Sequence, residues 1–407
     1  MSHALRSLFD KPVMKVVGLC SGASMDGVDM AACQISGDGQ SGLHADLLAY
    51  GTEPYSKDMS KILAELSEQK SVSTDDISKL NFRLGRTYAR AATKIIEKAG
   101  LKPADIDLIG CHGQTIAHLP PRLDRAAGTS SMEIQRVGST FEIGEPAVLA
   151  ETMGITVVSN FRARDIAAGG QGWPLTPFVD YSLFSSPDQT RAMVNIGGVT
   201  SITVLPAGGK ADDVVAFDSG PGCLLVDCMM QVMTLGKQSY DKNGELAATG
   251  KANEYLMQEL LKHAYIQRSP PKSTGREEFG MKFSERLYEH GIRRGIKPTD
   301  VLRTATEFTA ITIADAFKRF VTPHWKLEEA VLSGGGSLNP LLVNRLRQEL
   351  GSSVKVVTTD EYGLPSRSKE AVCIAILARE AIMGRAGNLP RASGAVHARV
   401  LGQITQA

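Results

Sequence analysis

The sequence predicts an α/β protein of two domains, each laid out as three strands, a helix, a strand and a helix. Three observations carry this reading. The chain has 407 residues, more than one ordinary domain needs. Two strand–glycine turn–strand hairpins lie far apart, one starting at Lys15 and one at Met193. Apolar runs of strand and helix length alternate behind each hairpin. The expected domains are 1–160, completed by the tail 385–407, and 161–384.

Each element has a local reason. Val16, Val17 and Leu19 make a short apolar strand and Met30–Ile35 a second, with the Asp26-Gly27 pair between them suited to a hairpin turn. Residues 57–70 and 79–99 have helical spacing, with Leu80, Leu84, Tyr88, Ala91, Ala92 and Ile95 on one face. Asp107–Cys111 reads as a strand ending in His112-Gly113-Gln114-Thr115. Residues 120–136 are polar and broken by proline and glycine, an exposed loop. Pro146 starts a helix to Met153, and Ile155–Val158 is a strand that delivers Asn160–Asp165. Ala168–Pro174, with Gly169-Gly170-Gln171-Gly172, reads as a flexible joint.

The second half repeats the pattern. Met193–Leu205 is the second hairpin, and Val214, Val215 and Phe217 form a buried strand. Phe217-Asp218-Ser219-Gly220-Pro221-Gly222 then turns into a helical run from Leu224 to Leu235. Residues 240–244 and 270–277 read as loops, and Thr304–Val321 as an amphipathic helix. Glu328–Leu332 is a strand, Ser333–Pro340 a triple-glycine turn, and Leu341–Leu350 and Ala371–Met383 are helices. The tail from Gly387 to Gln406 has no strong pattern.

Composition narrows the class. Hydrophobic residues make up 43% of the chain, ample for large cores, and a net charge of +1 gives no support for nucleic acid or an anionic membrane as partner. The six cysteines are scattered without a close pair, as expected of buried thiols in a reducing compartment. Met1–Met14 has no long apolar core and no apolar run is long enough to span a bilayer, so a cytoplasmic protein is expected.

The chemistry concentrates in the turns. Asp218, expected where a strand gives way to a helix, has the placement of a general base beside an anion-attracting helix N-terminus, though helix capping is its plainer reading. Residues 21–29 offer two hydroxyls, two carboxylates and exposed backbone amides, parts that cradle phosphate while Asp26 holds Mg²⁺ through water. His112, Gln114 and Thr115 sit at a strand end where a sugar or phosphate site forms, against the alternative of a half-buried, hydrogen-bonded histidine. Arg162 and Asp165 have the fixed geometry for sugar hydroxyls or for a plain ion pair, and Trp173 offers a flat wall for a ring. Lys272 and Arg276 are phosphate or substrate contacts, or ordinary loop charges. Gly334, Gly335 and Gly336 let backbone lie flat against a nucleoside, and Glu370 reaches Mg²⁺ or complements a helix dipole.

With these turns placed, the chain resembles the anhydro-N-acetylmuramic acid kinase family, which includes levoglucosan kinase. The likeness runs from Gly18 to Gly402 through nine pieces in order: SGASMDGVD, HGQT, FRARD, GGQG, NIGG, FDSGPG, PPKSTGRE, SGGGSLNP and GNLPRASGA. It implies a two-domain actin-like ATPase fold, a duplicated ribonuclease H-like βββαβα plan with a nucleotide cleft between domains, the second domain carrying the nucleotide site. It implies ATP and Mg²⁺ as cofactors. It makes Asp218 the base that activates water against the anomeric carbon of a 1,6-anhydro sugar, while O6 takes the γ-phosphoryl group. Ser21, Gly22, Ser24, Asp26, Gly27, Asn195, Gly197, Gly198, Gly220, Gly222, Gly334, Gly335, Gly336 and Asn339 become nucleotide contacts by the same resemblance. His112, Gln114, Thr115, Arg162, Asp165, Lys272 and Arg276 become substrate contacts, and Asp26 and Glu370 the metal carboxylates. A homodimer is also implied.

Three positions depart from the family pattern. Ala23 stands where threonine is usual, Trp173 where alanine is usual, and Cys223 where asparagine is usual. The expected substrate is 1,6-anhydro-N-acetylmuramic acid. Levoglucosan is the alternative that the bulk of Trp173 favours, and a sugar-sensing homologue is the alternative that Ala23 and Cys223 favour. A nucleotide-dependent chaperone or filament protein is disfavoured by the retained Asp218 and by the lack of a long extension.

Overall fold

The computed structural model describes residues 3–22, 24–37, 42–67, 72–121 and 137–407. Ala23 therefore lies outside the described residues, as do residues 68–70 of the expected helix 57–70 and most of the expected loop 120–136. Twelve strands among the described residues build two sheets: β1 Val13–Ser21, β2 Gly27–Ser36, β3 His44–Pro54, β4 Leu108–Leu119, β5 Ser139–Ile143, β6 Val157–Ser159, β7 Arg191–Ile196, β8 Val199–Leu205, β9 Val215–Pro221, β10 Glu329–Ser333, β11 Lys355–Thr358 and β12 Gln403–Thr405. The chain separates into two compact units, one of residues 1–184, 210–215 and 368–407, the other of 185–209 and 216–367.

The first unit holds a sheet in the order β12-β6-β4-β1-β2-β3, with β5 paired to β4 outside that path. β1 runs antiparallel to β2 and parallel to β4, and β4 runs parallel to β6. One face is covered by the Thr74–Lys98 helix, whose buried side includes Leu80, Leu84, Tyr88, Ala91, Ala92 and Ile95, the face that helical spacing predicts. The other face carries the Lys369–Ile382 helix, and two glycines explain how it sits there. Gly18 and Gly110 are cross-strand partners on β1 and β4. A Cβ on Gly18 would lie 1.9 Å from the Ala371 carbonyl oxygen, and one on Gly110 would lie 2.6 Å from that of Ile374. The bare backbone is a groove that lets a helix approach more closely than any side chain permits.

This packing moves the domain borders. Residues 161–184, 210–215 and 368–384, expected in the second domain, belong to the first unit. For residues 368–384 the physical reason is the glycine groove, which ties the late helix to early strands and leaves no trace in local sequence pattern. The tail also adds an element that its pattern did not announce: β12 pairs antiparallel with β6.

The second unit has a sheet in the order β11-β10-β7-β8-β9. β7 is antiparallel to β8 and parallel to β10, which is parallel to β11. Set beside the first sheet, β7 to β11 repeat the succession of β1, β2, β3, β4 and β6. This is the duplicated ribonuclease H-like plan, and it bears out the actin-like fold class. The helices Leu224–Met233, Glu254–Leu261 and Pro298–Phe320 share one buried cluster with Tyr265, Ile266 and Phe279. Met281–Arg293, a helix that the sequence reading left unassigned, adds Leu287 to it. No helix of the described residues is long and apolar enough to cross a membrane. Five of the six cysteines are buried and Cys223 is half-buried.

Candidate active site

Asp218 lies within β9 rather than at its end, since the strand continues to Pro221 before the Leu224–Met233 helix begins. Its residue surface is fully buried. Ser201 Oγ on β8 donates to Oδ1 at 2.7 Å. Ser273 Oγ and the Thr274 backbone N–H donate to Oδ2 at 3.2 and 3.0 Å. The main chain is gripped as well: Asp218 N–H donates to the Lys272 carbonyl at 3.0 Å, and Tyr265 Oη donates to the Asp218 carbonyl at 2.9 Å. A carboxylate held by three donors has one orientation, which a base requires and a simple cap does not. Beside it, Thr274 Oγ1 is buried without a hydrogen-bond partner. An orphaned buried hydroxyl is costly, and it marks a place where a bound polar atom would be satisfied.

The loop that supplies these donors is not exposed. Lys272, Ser273 and Thr274 are all buried. The Lys272 ammonium lies 4.8 Å from the Tyr265 ring centre and 5.5 Å from that of Phe320. The Tyr265 and Ile266 carbonyls are 3.4 and 3.5 Å from its Nζ. Burial, with Arg319 nearby, lowers its pKa to about 8. The expected substrate contact thus points into its own unit, because an ammonium without a carboxylate partner gathers carbonyls and ring faces. Arg276, half-buried, opens the short Arg276–Phe279 helix.

The glycine turns of the second unit meet at the ends of β7 and β10. Ser333 Oγ donates to Asn195 Oδ1 at 3.0 Å. Cβ atoms on Gly334 and Gly336 would lie 2.6 Å from the Ile196 carbonyl oxygen and 2.3 Å from the Ile196 side chain, whereas one on Gly335 would meet nothing within 4 Å. One face of this turn is packed and the other open, as an approaching flat ligand needs. The helix N-terminus after Asp218 differs from expectation. The backbone N–H groups of Gly222, Cys223 and Leu224 donate to the carbonyls of Gly198, Gly197 and Gly198 at 2.9, 2.8 and 3.0 Å. These amides are taken up inside the unit and do not form the anticipated anion site. Gly222 is required by packing, with a Cβ 2.2 Å from the Gly197 carbonyl oxygen. Gly220 packs against Ile266 and Thr312. Asn339 is the helix cap of Pro340–Leu350, its Oδ1 accepting from Leu341 and Leu342 N–H.

In the first unit, His112 and Arg162 come together as expected of one site. Arg162 Nε donates to His112 Nε2 at 3.0 Å, and His112 Nδ1 lies 2.9 Å from the Gly113 carbonyl. Burial and the neighbouring guanidinium lower the His112 pKa to about 3, so the ring is neutral and free to accept from arginine. The Arg162 guanidinium stacks on Trp173, 4.5 Å from its ring centre. Trp173 therefore serves as a wall for arginine. Glu142, which sequence reasoning missed, lies 3.7 Å from Arg162 Nε and accepts from Thr115 Oγ1 and Thr140 Oγ1. A lone glutamate in β5 carries no motif to betray it. Gln114 Nε2 donates to the Gly22 and Thr115 carbonyls at 3.2 and 3.3 Å.

Two expected contacts face inward instead. Ser21 Oγ bonds Tyr55 Oη at 2.7 Å and accepts from Tyr88 Oη at 3.2 Å, a hydroxyl triad inside the core. Asp165 accepts from Asn388 Nδ2, Ser393 Oγ and the Gly172 N–H at 2.6, 2.7 and 2.8 Å. Its carboxylate is a latch between the GGQG stretch and the GNLPRASGA stretch, which explains why both surround it. Ser21 is turned inward by its place on β1, and Asp165 lies on the buried side of the short helix Phe161–Ala167.

For a divalent cation, Asp26 is exposed and accepts from Ser24 Oγ at 2.6 Å, while Glu370 is half-buried in the first turn of its helix. Gly27 packs at the start of β2, its Cβ position 2.5 Å from the Glu53 carbonyl oxygen. No group of three ligating side chains occurs among the described residues. Mg²⁺ bound with nucleotide needs only one or two carboxylates besides phosphate and water, so the residues fit that ion.

The two units share one strand succession, that of the actin-like fold class, with glycine turns at sheet ends and, in the second unit, a buried, oriented carboxylate. The family model for anhydro-N-acetylmuramic acid kinase matches residues 14–407. The chain is 43% identical over 405 residues to an anhydro-N-acetylmuramic acid kinase of Caldanaerobacter subterraneus subsp. tengcongensis, covering 100% of both chains. It is 38% identical over 402 residues to the one of Salinibacter ruber, covering 99% and 98%. Among solved structures it is similar, at 13% identity and a TM-score of 0.42, to an activator of a 2-hydroxyisocaproyl-CoA dehydratase from Clostridium difficile, over 91% of this chain and 96% of that one. The chain belongs to the anhydro-N-acetylmuramic acid kinase family.

Proposed function

We propose that the protein phosphorylates 1,6-anhydro-N-acetylmuramic acid with ATP and opens the anhydro bridge in the same reaction. The observation that carries this is the Asp218 carboxylate, oriented by Ser201, Ser273 and Thr274, with the unpartnered Thr274 hydroxyl beside it. Asp218 takes a proton from water as the water oxygen bonds to the anomeric carbon. The bond from that carbon to O6 breaks, its electron pair goes to O6, and O6 bonds to the γ-phosphorus as the bond to ADP breaks. The products are a 6-phosphosugar and ADP, with one proton left on Asp218. Catalysis here is positioning plus charge stabilisation. Asn195 and the turns at 197–198 and 334–336 are assigned to the nucleotide. His112, Thr115 and Arg162 are assigned to the sugar. Asp26 and Glu370 would hold Mg²⁺, which supplies charge neutralisation at the phosphates.

The test is ATP turnover with 1,6-anhydro-N-acetylmuramic acid and with levoglucosan, for the wild type and Asp218→Asn. Turnover on the muramyl sugar that falls by roughly 10²–10⁴ in the variant is expected. Turnover on levoglucosan alone would reassign the substrate, and sugar binding without turnover would make the protein a sensor.

A further inference from the structure

We propose that Glu142 and His118 form an acceptor-only subsite in the first unit that receives the hydrogen-bond donors at C2 and C4 of the anhydro sugar; this rests on the substrate class proposed above. Thr140 Oγ1 joins the two residues. It donates to Glu142 Oε1 and lies 3.3 Å from His118 Nδ1. Its single hydroxyl proton goes to the carboxylate, so it accepts from the ring, and His118 carries its proton on Nδ1. Burial, with Arg162 and His112 nearby, holds the His118 pKa well below the usual histidine range, which keeps the ring neutral. Nε2 is then a lone pair, and it is buried without a partner. Glu142 Oε1 is used by Thr115 and Thr140, while Oε2 is buried without a partner although the side chain is 5% exposed. Both orphaned atoms accept and neither donates.

The chemistry of the ligand follows. Arg162 balances the Glu142 charge, so the subsite selects neutral donors and rejects a carboxylate. A 1,6-anhydro bridge locks the pyranose in the chair that makes the C2, C3 and C4 substituents axial. Those at C2 and C4 project to one side and that at C3 to the other. In 1,6-anhydro-N-acetylmuramic acid the shared side bears an amide N–H and a hydroxyl, and the lactyl carboxylate at C3 points away. Two neighbouring acceptors match that pair of donors.

The experiment compares the parent sugar with its 4-deoxy analogue and with the analogue lacking the C2 acetamido group. In the wild type each deletion is expected to raise KM roughly tenfold or more, with the KM for ATP unchanged. Glu142→Gln and His118→Phe are each expected to raise the parent KM similarly. The penalty of one variant should vanish on one analogue and that of the other variant on the other, a pattern that a structural role does not produce. Wild-type KM values equal for all three sugars, or variant penalties equal on all three, would overturn the subsite. Absence of any anhydrosugar-dependent turnover in the wild type would overturn the substrate class itself.

Discussion

His112 shows what one buried ring does to the whole chain. Burial and the Arg162 guanidinium lower its folded pKa to about 3, against the ordinary histidine value of 6.5. Between those values the unfolded chain binds a proton that the folded chain does not, so stability falls as pH drops through that window. His112→Gln is expected to remove about 2 kcal/mol of the loss between pH 7 and pH 5. Urea midpoints at the two pH values check this, and an unchanged difference would refute it. Asp165 makes a second residue-scale case. Because its three donors come from two separate stretches, Asp165→Asn is expected to cost on the order of 2–4 kcal/mol, measured as a lowered unfolding midpoint. A role in sugar binding alone would instead leave the midpoint in place and raise KM.

At the scale of elements, the glycines divide by what surrounds them. Gly18→Ala places a methyl group 1.9 Å from backbone of the Lys369–Ile382 helix, which must shift as a body. The expected cost is at least about 1–3 kcal/mol. Gly295, at φ +74° with nothing within 4 Å, carries only the backbone term, about 1 kcal/mol for alanine. Paired thermal melts of the two variants decide whether close approach or backbone conformation dominates. Ser201 extends the argument to β8. Ser201→Ala leaves the strand intact and removes one donor from Asp218, so the expected change is a fall in kcat of about tenfold with the sugar KM retained.

At the scale of the molecule, the two units make a two-step transition testable, since multi-domain chains commonly depart from two-state unfolding. The two tryptophans divide between them, Trp173 in the first unit and Trp325 in the second. Truncation after Ala386 removes β12 and both side-chain donors to Asp165. The truncated chain retaining only Trp173 is expected to unfold at lower urea than the chain retaining only Trp325. Coincident transitions would show that the tail is not part of the first unit's stability.

The sequence alone determined the elements and the chemistry that repeat locally. Helix 74–98 was legible through its apolar spacing and the two hairpins through turn residues, while Asp218 was singled out as a candidate by its glycine-rich setting. Nine ordered motifs carried the family. Tertiary structure decided what depends on partners distant in the chain. Ser21 turned inward with the register of its strand, and Asp165, on a short helix, turned toward donors from two distant stretches, although their motifs promised a ligand. The Lys369–Ile382 helix joined the first unit because two cross-strand glycines opened a groove for it. Glu142 and Ser201 carry no local signal, and Asn388 and Ser393, though inside a motif, do not show there that they hold Asp165; the partners lie at least 17 positions away. Periodicity reports how a segment meets water, whereas a hydrogen bond across the fold is fixed only when two segments are brought together.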